Sequence, residues 1–245
     1  MSGALVVIPA RLGSTRFPAK VLRELGGVPV VEWCRRAALR ADVGPVVVAT
    51  ESSVVAGLVE GRGGAVVMTS PSCVSGTDRV HEALRLVERR SRRRFSRVIN
   101  LQGDEPLIQA STIRKVARLL EDREVDIATA VVPLVGTERA AEPSVVKAAV
   151  SRDGRCLYFS RSAIPYPAGA DGGFLQHIGI YGFQRAALER FVRLPPSPLE
   201  LREKLEQLRA MEAGMSIFAA KVADRTVAID VPADLRRAAA VLAGR

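Results

Sequence analysis

A loop rich in cations follows the first apolar run of the sequence. The run from Ala4 to Ile8 predicts a buried strand that ends at Pro9, because proline has no N–H to donate to a sheet. The loop after it contains three cations, two hydroxyl side chains and a glycine, namely Arg11, Arg16, Lys20, Ser14, Thr15 and Gly13. Loops at the carboxyl ends of parallel strands bind ligands, and Arg and Lys neutralise phosphate charge. The loop is therefore a candidate phosphate site, and a solvated basic loop is the structural alternative.

Two aspartates are candidates to bind a divalent cation. Asp104 lies in the turn Gln102–Pro106, directly after an apolar run that predicts a strand, and Asp230 precedes a predicted helix with Pro232 in its first turn. Carboxylates that each close a strand can meet over one Mg²⁺ ion, which prefers oxygen ligands. The structural alternatives are a turn carboxylate for Asp104 and a helix cap for Asp230. Beside the basic loop, a metal–nucleotide site is the better interpretation.

The stretch Ser75-Gly76-Thr77-Asp78-Arg79 has two compatible interpretations. The resemblance of this stretch to a family motif that borders a nucleotide base implies that Gly76 lets the backbone approach the base and that the hydroxyl of Ser75 or Thr77 hydrogen-bonds it. The structural alternative is an ordinary cap, with Thr77 or Asp78 beginning a helix.

Composition excludes several classes of protein. The formal net charge of the 245 residues is +10, which suits an anionic ligand or nucleic acid. Few aromatic residues accompany the basic run Glu88–Arg94, so we expect no nucleic-acid partner. No apolar run approaches the roughly 20 residues that span a membrane, and no signal peptide is recognised, so a cytoplasmic protein without a membrane partner is expected. The three cysteines are predicted to be reduced structural thiols.

The order of predicted elements indicates an α/β fold with a mostly parallel sheet and helices on both faces. The first half alternates predicted strands and helices: Pro45–Thr50, Ala65–Met68 and Arg97–Leu101, with helices at Val28–Leu39, from Ser52 or Ser53 to Val59, after Thr77 or Asp78, and at Ile113–Leu120. The later part predicts a small mixed-sheet lobe with strands at Ile127–Val132, Val145–Val150, Leu157–Ser160 and His177–Phe183. One helix from Ser197 to Gly214, strands at Phe218–Val222 and Thr226–Asp230, and a helix at Pro232–Leu242 complete the prediction.

In order along the chain, these motifs resemble the signatures of the 3-deoxy-manno-octulosonate (Kdo) cytidylyltransferases. The matching stretches are Pro9-Ala10-Arg11, Ser14-Thr15-Arg16, Pro18-x-Lys20, Ser75–Arg79, Gln102–Pro106, Tyr158–Arg161, His177–Gly182, Leu205–Arg209 and Asp230–Leu235. Two departures are Val231 and Ala233, where the family has Thr and Glu. The segment between Pro165 and His177 also looks shorter than in the family.

The resemblance implies a role for each matching residue. The residues implied to bind CTP are Ala10, Arg11, Ser14, Arg16, Lys20, Ser75, Gly76, Thr77 and Arg79. Those implied to bind the acceptor are Gln102, Arg161, His177, Tyr181 and Glu206. Asp104 and Asp230 are implied to ligate Mg²⁺, and together with Arg11 and Lys20 they form the implied catalytic set.

The resemblance further implies a fold of the nucleotide-diphospho-sugar transferase type, Mg²⁺ dependence and a homodimer. Within one domain, residues 1–126 would mainly bind CTP, residues 127–222 would form the acceptor and dimer lobe, and residues 223–245 would return to the metal site. The expected reaction transfers CMP from CTP to a small acidic acceptor and releases pyrophosphate, without a protein nucleophile. Kdo is the first candidate acceptor. Phosphonoformate in phosphonate biosynthesis is the alternative, and a non-catalytic nucleotide- or RNA-binding protein is a remote one.

Overall fold

The computed structural model describes residues 3–13, 17–134, 137–166, 173–223 and 226–244. It divides into two compact units, one formed by Met1–Arg114 with Arg225–Arg245 and the other by Lys115–Asp224. Within the described ranges, no helix has the combined length and apolar character that crossing a bilayer requires.

Strands and helices alternate through most of the chain. The strands are β1 (Ala4–Pro9), β2 (Glu24–Leu25), β3 (Val28–Pro29), β4 (Val46–Thr50), β5 (Ala65–Met68), β6 (Arg97–Leu101), β7 (Ile127–Leu134), β8 (Lys147–Val150), β9 (Cys156–Ser160), β10 (Phe174–Gln184) and β11 (Ile217–Lys221). The helices are α1 (Val30–Ala41), α2 (Ser53–Glu60), α3 (Gly76–Ser91), α4 (Ala110–Leu119), α5 (Thr137–Ala141), α6 (Arg185–Phe191), α7 (Pro198–Glu203), α8 (Gln207–Glu212) and α9 (Pro232–Ala243). A 3-10 turn spans Lys20–Leu22.

The first unit contains a parallel sheet in the order β6-β1-β4-β5. Residues 4–8 of β1 are all buried at the centre of this sheet. Their uninterrupted apolar sequence is typical of a strand that is covered on both faces. The chain first moves outward from β1 to β4 and β5, and then returns to place β6 on the other side of β1. The carboxyl ends of β1 and β6 therefore meet at a topological switch point, where such sheets bind ligands. The prediction of an α/β fold with a mostly parallel sheet is confirmed.

The start of α3 differs from the sequence prediction. The cap is Ser75, whose hydroxyl accepts a hydrogen bond from the Asp78 N–H at 3.1 Å while the Asp78 carboxylate accepts one from the Ser75 N–H at 3.0 Å. The prediction of Thr77 or Asp78 as the cap is wrong because both residues lie inside the helix, where Asp78 completes the capping box of Ser75. By contrast, Ser52 caps α2 as predicted.

The second unit contains a mixed sheet. Strand β7 pairs in parallel with β11 and antiparallel with β10, and β10 and β9 both pair antiparallel with β8. The register between β7 and β10 shifts between Ile178 and Gly182, which marks a bulge in β10. The four strands predicted between residues 127 and 183 are confirmed, with β10 extending further at both ends.

Two later predictions are wrong. The single helix predicted from Ser197 to Gly214 is two helices, because Lys204 takes a left-handed conformation with φ of 54° and ends α7. Leu201 in α7 is 65% exposed. A bidentate ion pair between Glu200 and Arg209, with distances of 2.5 and 2.7 Å, joins the two helices. The segment 226–230, predicted as a strand, joins no sheet in the described residues.

The buried carboxylate of Glu32 in α1 accepts hydrogen bonds from Arg35 at 2.7 and 2.9 Å and from Arg36 at 2.9 Å. Burial raises the pKa of Glu32, but the hydrogen bonds and charges of the two arginines outweigh it and lower the pKa below its ordinary 4.5. Its ionised form therefore stabilises the fold above that value, and this contribution is lost as the pH falls through the lower folded-state pKa.

We expect Glu32→Gln to lower the free energy of unfolding by about 2 kcal/mol at pH 7, because hydrogen bonds to a charged group are lost. The difference from the wild type should shrink as the pH falls below about 4. Urea unfolding at several pH values measures this difference in the free energy of unfolding, and Glu60→Gln at an exposed position is the matched control. A loss that stays constant with pH, or that Glu60→Gln reproduces, would contradict the ion-pair explanation.

Candidate functional site

Lys20 and the two candidate metal ligands meet at one point in the first unit. The Nζ atom of Lys20 lies 2.5 Å from Oδ2 of Asp104 and 2.9 Å from Oδ1 of Asp230. The side chains of Lys20 and Asp104 are 14% and 19% exposed, whereas that of Asp230 is 44% exposed. The cationic loop and both aspartates are therefore neighbours, as the sequence pattern requires of a metal–nucleotide site.

Backbone hydrogen bonds fix the two aspartates beside each other. The N–H of Ile229 donates to the carbonyl of Asp104 at 2.9 Å. The Asp234 carboxylate in α9 accepts from the N–H groups of Asp230 and Val231 at 2.8 and 2.9 Å. Asp230 is therefore not the cap of α9, since Val231 holds that position. The structural alternative for Asp230 is wrong, and its carboxylate points instead to Lys20.

One hydrophobic core cluster includes sequence neighbours of Lys20, Asp104 and Asp230. Phe17, Leu107 and Ile229 belong to one core cluster, and each is close in sequence to one of Lys20, Asp104 and Asp230 respectively. The apolar contacts of these neighbours order three distant segments of the chain together. The site is consequently part of the core packing of the first unit.

Gly103 allows the turn after β6 to lie against the end of β1. A Cβ atom at Gly103 would lie 2.7 Å from the carbonyl oxygen of Pro9, which is closer than such atoms approach. Glycine is therefore required between Gln102 and Asp104 for reasons of packing within the chain. At Gly76, by contrast, a Cβ atom would make an ordinary contact of 3.7 Å with Pro9.

The pKa of Lys20 reflects two opposing effects. Burial lowers it, but the charges of Asp104 and Asp230 and their hydrogen bonds outweigh burial and raise the pKa above 10.5. The ammonium group is thus charged throughout the neutral pH range. A fixed positive charge at this position can neutralise carboxylates or a bound phosphate group.

The donor set at the two aspartates fits a divalent cation that also binds substrate. Oδ1 of Asp104 is buried and has no hydrogen-bond partner among the described residues. In the described ranges, no group of three or more His, Cys, Asp or Glu residues could hold a metal by itself. Two carboxylates therefore need phosphate and water oxygens to complete the coordination, which is the arrangement that Mg²⁺ favours.

The remaining residues predicted to bind CTP also belong to the first unit. Ala10 is buried and donates its N–H to the carbonyl of Ala49 at 2.9 Å, while Arg11 is exposed. Ser75 and Gly76 form the beginning of α3, and Thr77 is buried in its first turn. Predicted Ser14 and Arg16 lie outside the described residues.

Glu51, which no motif of the sequence singles out, connects the cationic loop to α3. Its Oε1 accepts from the Leu12 N–H at 3.2 Å, and its Oε2 lies 2.9 Å from Nη2 of Arg79. The Arg79 side chain is 4% exposed and also donates to Thr69 at 2.5 Å. The sequence signal that could have identified Glu51 is its position directly after β4, at the edge of the sheet where the candidate site lies.

The residues predicted to bind the acceptor lie in both units. Gln102 follows β6 in the first unit, and its carbonyl accepts from the Glu105 N–H at 3.3 Å. In the second unit, the guanidinium of Arg161 donates to three carbonyl groups, those of Glu203, Pro143 and Lys204. The carboxylate-binding role implied for Arg161 stays a prediction. The hydrogen bonds of its side chain also hold together the segments that contain these three carbonyl groups.

An aromatic cluster in the second unit contains the predicted acceptor residues His177 and Tyr181, and the remaining one, Glu206, is the N-cap of α8. The His177 ring centroid lies 5.1 Å from that of Phe159 and 5.3 Å from that of Tyr181. Burial lowers the pKa of His177 to about 3, so the imidazole is neutral at pH 7. Burial also raises the pKa of Tyr181, and the negative charge of Glu206 raises it further. His177 and Tyr181 can therefore act through neutral hydrogen bonds.

The three cysteines do not supply a nucleophile. All are free thiols. Burial raises the pKa of Cys34 well above its ordinary value, that of Cys156 to about 12, and, together with Glu82, that of Cys73 to about 11. Since the thiolate is the reactive form, the thiols are inert near neutral pH.

Two adjacent carboxylates that could hold a cation, an ammonium group between them and a cationic loop at the switch point of a parallel sheet are typical of the nucleotidyltransferases. These enzymes act on a nucleoside triphosphate through charge stabilisation at phosphate.

Comparisons with known proteins identify the family. The cytidylyltransferase family model matches residues 5–217. A 3-deoxy-manno-octulosonate cytidylyltransferase of Rhodopseudomonas palustris (strain HaA2) is 49% identical over 244 residues, which are 98% of each chain. One of Methylobacterium radiotolerans is 47% identical over 249 residues, covering 100% of this chain and 99% of the relative. A solved CMP:2-keto-3-deoxy-manno-octonic acid synthetase complexed with CTP is 40% identical, with a TM-score of 0.90 over 99% of both chains. The chain belongs to the 3-deoxy-manno-octulosonate cytidylyltransferase family.

We expect Glu51→Gln to lower the free energy of unfolding by about 3 kcal/mol, because it leaves the buried guanidinium of Arg79 without its carboxylate partner. Combining it with Arg79→Gln should lower stability by less than the sum of the two single changes, because the buried charge is then removed as well. Denaturant unfolding of the four proteins in this cycle measures the coupling. Strictly additive effects would show that Glu51 and Arg79 do not act as a pair.

Proposed function

We propose that this chain is a Mg²⁺-dependent enzyme that transfers CMP from CTP to 3-deoxy-manno-octulosonate and releases pyrophosphate. The observation that carries the proposal is the meeting of Lys20, Asp104 and Asp230 at one point. Full-length relatives at 47–49% identity named as 3-deoxy-manno-octulosonate cytidylyltransferases support the choice of acceptor, and a related structure complexed with CTP supports the choice of nucleotide.

Lys20 and Arg11 supply positive charge for the triphosphate. Lys20 is held in place by two carboxylates, so it loses little conformational freedom when phosphate oxygens approach. Arg11 is exposed in the loop after β1 and is available to a ligand at the same edge of the sheet. Positive groups fixed before the reaction stabilise the charge that develops on the leaving pyrophosphate.

Asp104 and Asp230 would hold the Mg²⁺ ion. When bound, a divalent cation polarises a phosphoryl oxygen and lowers the pKa of a coordinated hydroxyl group. The chain orients its ligands through the Ile229 N–H and through the Asp234 carboxylate, which fixes the backbone at Asp230. The reaction forms a bond between an acceptor oxygen and the α-phosphorus and breaks the bond to pyrophosphate, so no nucleophilic side chain is needed.

The acceptor is proposed to bind through Gln102, Arg161, His177, Tyr181 and Glu206. The names of the full-length relatives favour the sugar acid over phosphonoformate, the alternative acceptor. The homodimer that the resemblance implies is retained as part of this proposal.

We expect Asp104→Asn to lower kcat by about a thousandfold, which corresponds to the loss of several kcal/mol of stabilisation by the metal ion. The fold should persist, as measured by circular dichroism and thermal unfolding. The matched control is Asp42→Asn, an exposed residue after α1 that has a left-handed conformation asparagine also tolerates. Full Mg²⁺-dependent activity in the Asp104→Asn protein would contradict the role of this carboxylate.

Acceptor identity is tested by pyrophosphate release from CTP in the presence of either 3-deoxy-manno-octulosonate or phosphonoformate. We expect release with the sugar acid at a kcat/KM at least about a hundredfold above that with phosphonoformate, because hydroxyl-binding groups discriminate strongly against an analogue without hydroxyls. Release with phosphonoformate alone would transfer the assignment to the alternative acceptor. Release with neither acceptor would reject the proposed reaction.

A further inference from the structure

Thr129, which belongs to none of the sequence motifs, forms a hydrogen bond with His177. Thr129 lies in β7 and is completely buried. It stands opposite the bulge of β10, between the pairs formed by Ala128 and Ala130. Its Oγ1 atom lies 2.9 Å from Nε2 of His177 and 2.8 Å from the carbonyl oxygen of Ile180. The bulge thus directs a backbone carbonyl and a histidine ring to the same hydroxyl group.

The protons of this cluster can be assigned from its chemistry. A threonine hydroxyl has one proton to donate and lone pairs that accept. A carbonyl oxygen only accepts, so the Thr129 proton is given to Ile180. The longer contact of 3.5 Å to the Ile178 carbonyl competes for the same proton and leaves the conclusion unchanged. The Nε2 atom of His177 must therefore donate to Thr129.

The other ring nitrogen is then fixed as an acceptor. Because burial keeps the imidazole neutral at pH 7, only one of its nitrogens carries a proton. With that proton on Nε2, Nδ1 presents its lone pair. No hydrogen bond to Nδ1 is found among the residues that the structure describes. Contacts with Phe159 and Tyr181 restrict the rotation of the ring, so the direction of this lone pair is also restricted.

We propose that Thr129 is a positioning residue that holds His177 in the Nε2–H tautomer, so that Nδ1 accepts a hydrogen bond from a hydroxyl group of the acceptor substrate. The proposal rests on the proposed function, which gives His177 a place in acceptor binding. The tautomer determines which chemical group of the acceptor His177 can bind. A neutral ring with an accepting nitrogen binds a hydroxyl group and does not bind the oxygens of an ionised carboxylate or a fully ionised phosphonate, which only accept. The preferred acceptor is therefore a polyhydroxylated acid.

The tautomer can be measured without any assay of activity. The chain contains two histidines, so a protein labelled with ¹⁵N gives two imidazole patterns in long-range ¹H–¹⁵N correlation spectra, and His81→Gln assigns them. We expect the Nε2–H pattern for His177 in the wild type and in Thr129→Ser, which keeps the hydroxyl. Thr129→Val keeps the shape but removes the hydroxyl, and it should shift His177 toward the Nδ1–H tautomer. An Nδ1–H pattern in the wild type would overturn the proposal, as would an unchanged pattern in Thr129→Val.

Steady-state kinetics separate positioning from a purely structural role. We expect Thr129→Val to raise KM for 3-deoxy-manno-octulosonate by about tenfold, the effect of one hydrogen bond, with KM for CTP within about twofold of the wild type. Thr129→Ser should restore most of the acceptor affinity. Equal effects of Thr129→Val on both KM values, or no rescue by serine, would overturn positioning.

The two proposals can fail separately. A wild-type protein that transfers no CMP would reject the proposed function and with it the hydroxyl ligand of His177. The spectra would still decide, by themselves, whether Thr129 sets the tautomer.

Discussion

One ammonium group shared by two carboxylates organises the candidate site of the first unit. Asp104 and Asp230 would repel each other at the separation they adopt, and Lys20 compensates that repulsion from 2.5 and 2.9 Å. The three residues come from the loop after β1, the turn after β6 and the segment before α9. The same charges that stabilise this meeting of distant segments are those that a metal-bound triphosphate requires, so stability and chemistry use one set of side chains.

Packing determines where these charges meet. The parallel sheet brings the ends of β1 and β6 together, and Gly103 permits the contact because any side chain would collide with the Pro9 carbonyl. The return of the chain to this edge depends on Ile229, which is buried in the core and bonded through its N–H to Asp104. Segment 226–230 is predicted as a strand but joins no sheet in the described residues. The N–H of Ile229 donates to the carbonyl of Asp104 in the turn after β6 and not to a neighbouring strand. This hydrogen bond places Asp230 beside Lys20.

The sequence predicted features whose signals are local and missed those that depend on distant partners. The apolar runs of β5 and β6 predict their bounds correctly, and the helix predicted to begin at Ser197 does begin there, with Ser197 as the cap of α7. One helix is predicted from Ser197 to Gly214, but the left-handed conformation of Lys204 divides it, and no residue type at that position signals the break. Glu51 and Thr129 were missed for another reason. Their partners lie on other strands and helices, so their roles depend on sheet order and register, which a single sequence does not contain.

The groups of the first unit and those of the second suit different kinds of recognition. The first unit provides full charges, in Lys20 and its carboxylates, which suit phosphate and a metal ion. The second also provides neutral hydrogen-bonding groups, because burial keeps His177 unprotonated and raises the pKa of Tyr181. Charge attracts any anion, whereas neutral donors and acceptors with fixed directions discriminate by the arrangement of hydroxyl groups. An acceptor that shares its acidic character with many metabolites is therefore best selected through its hydroxyls, and the bulge of β10 with Thr129 behind it is the feature of the backbone that fixes one such direction.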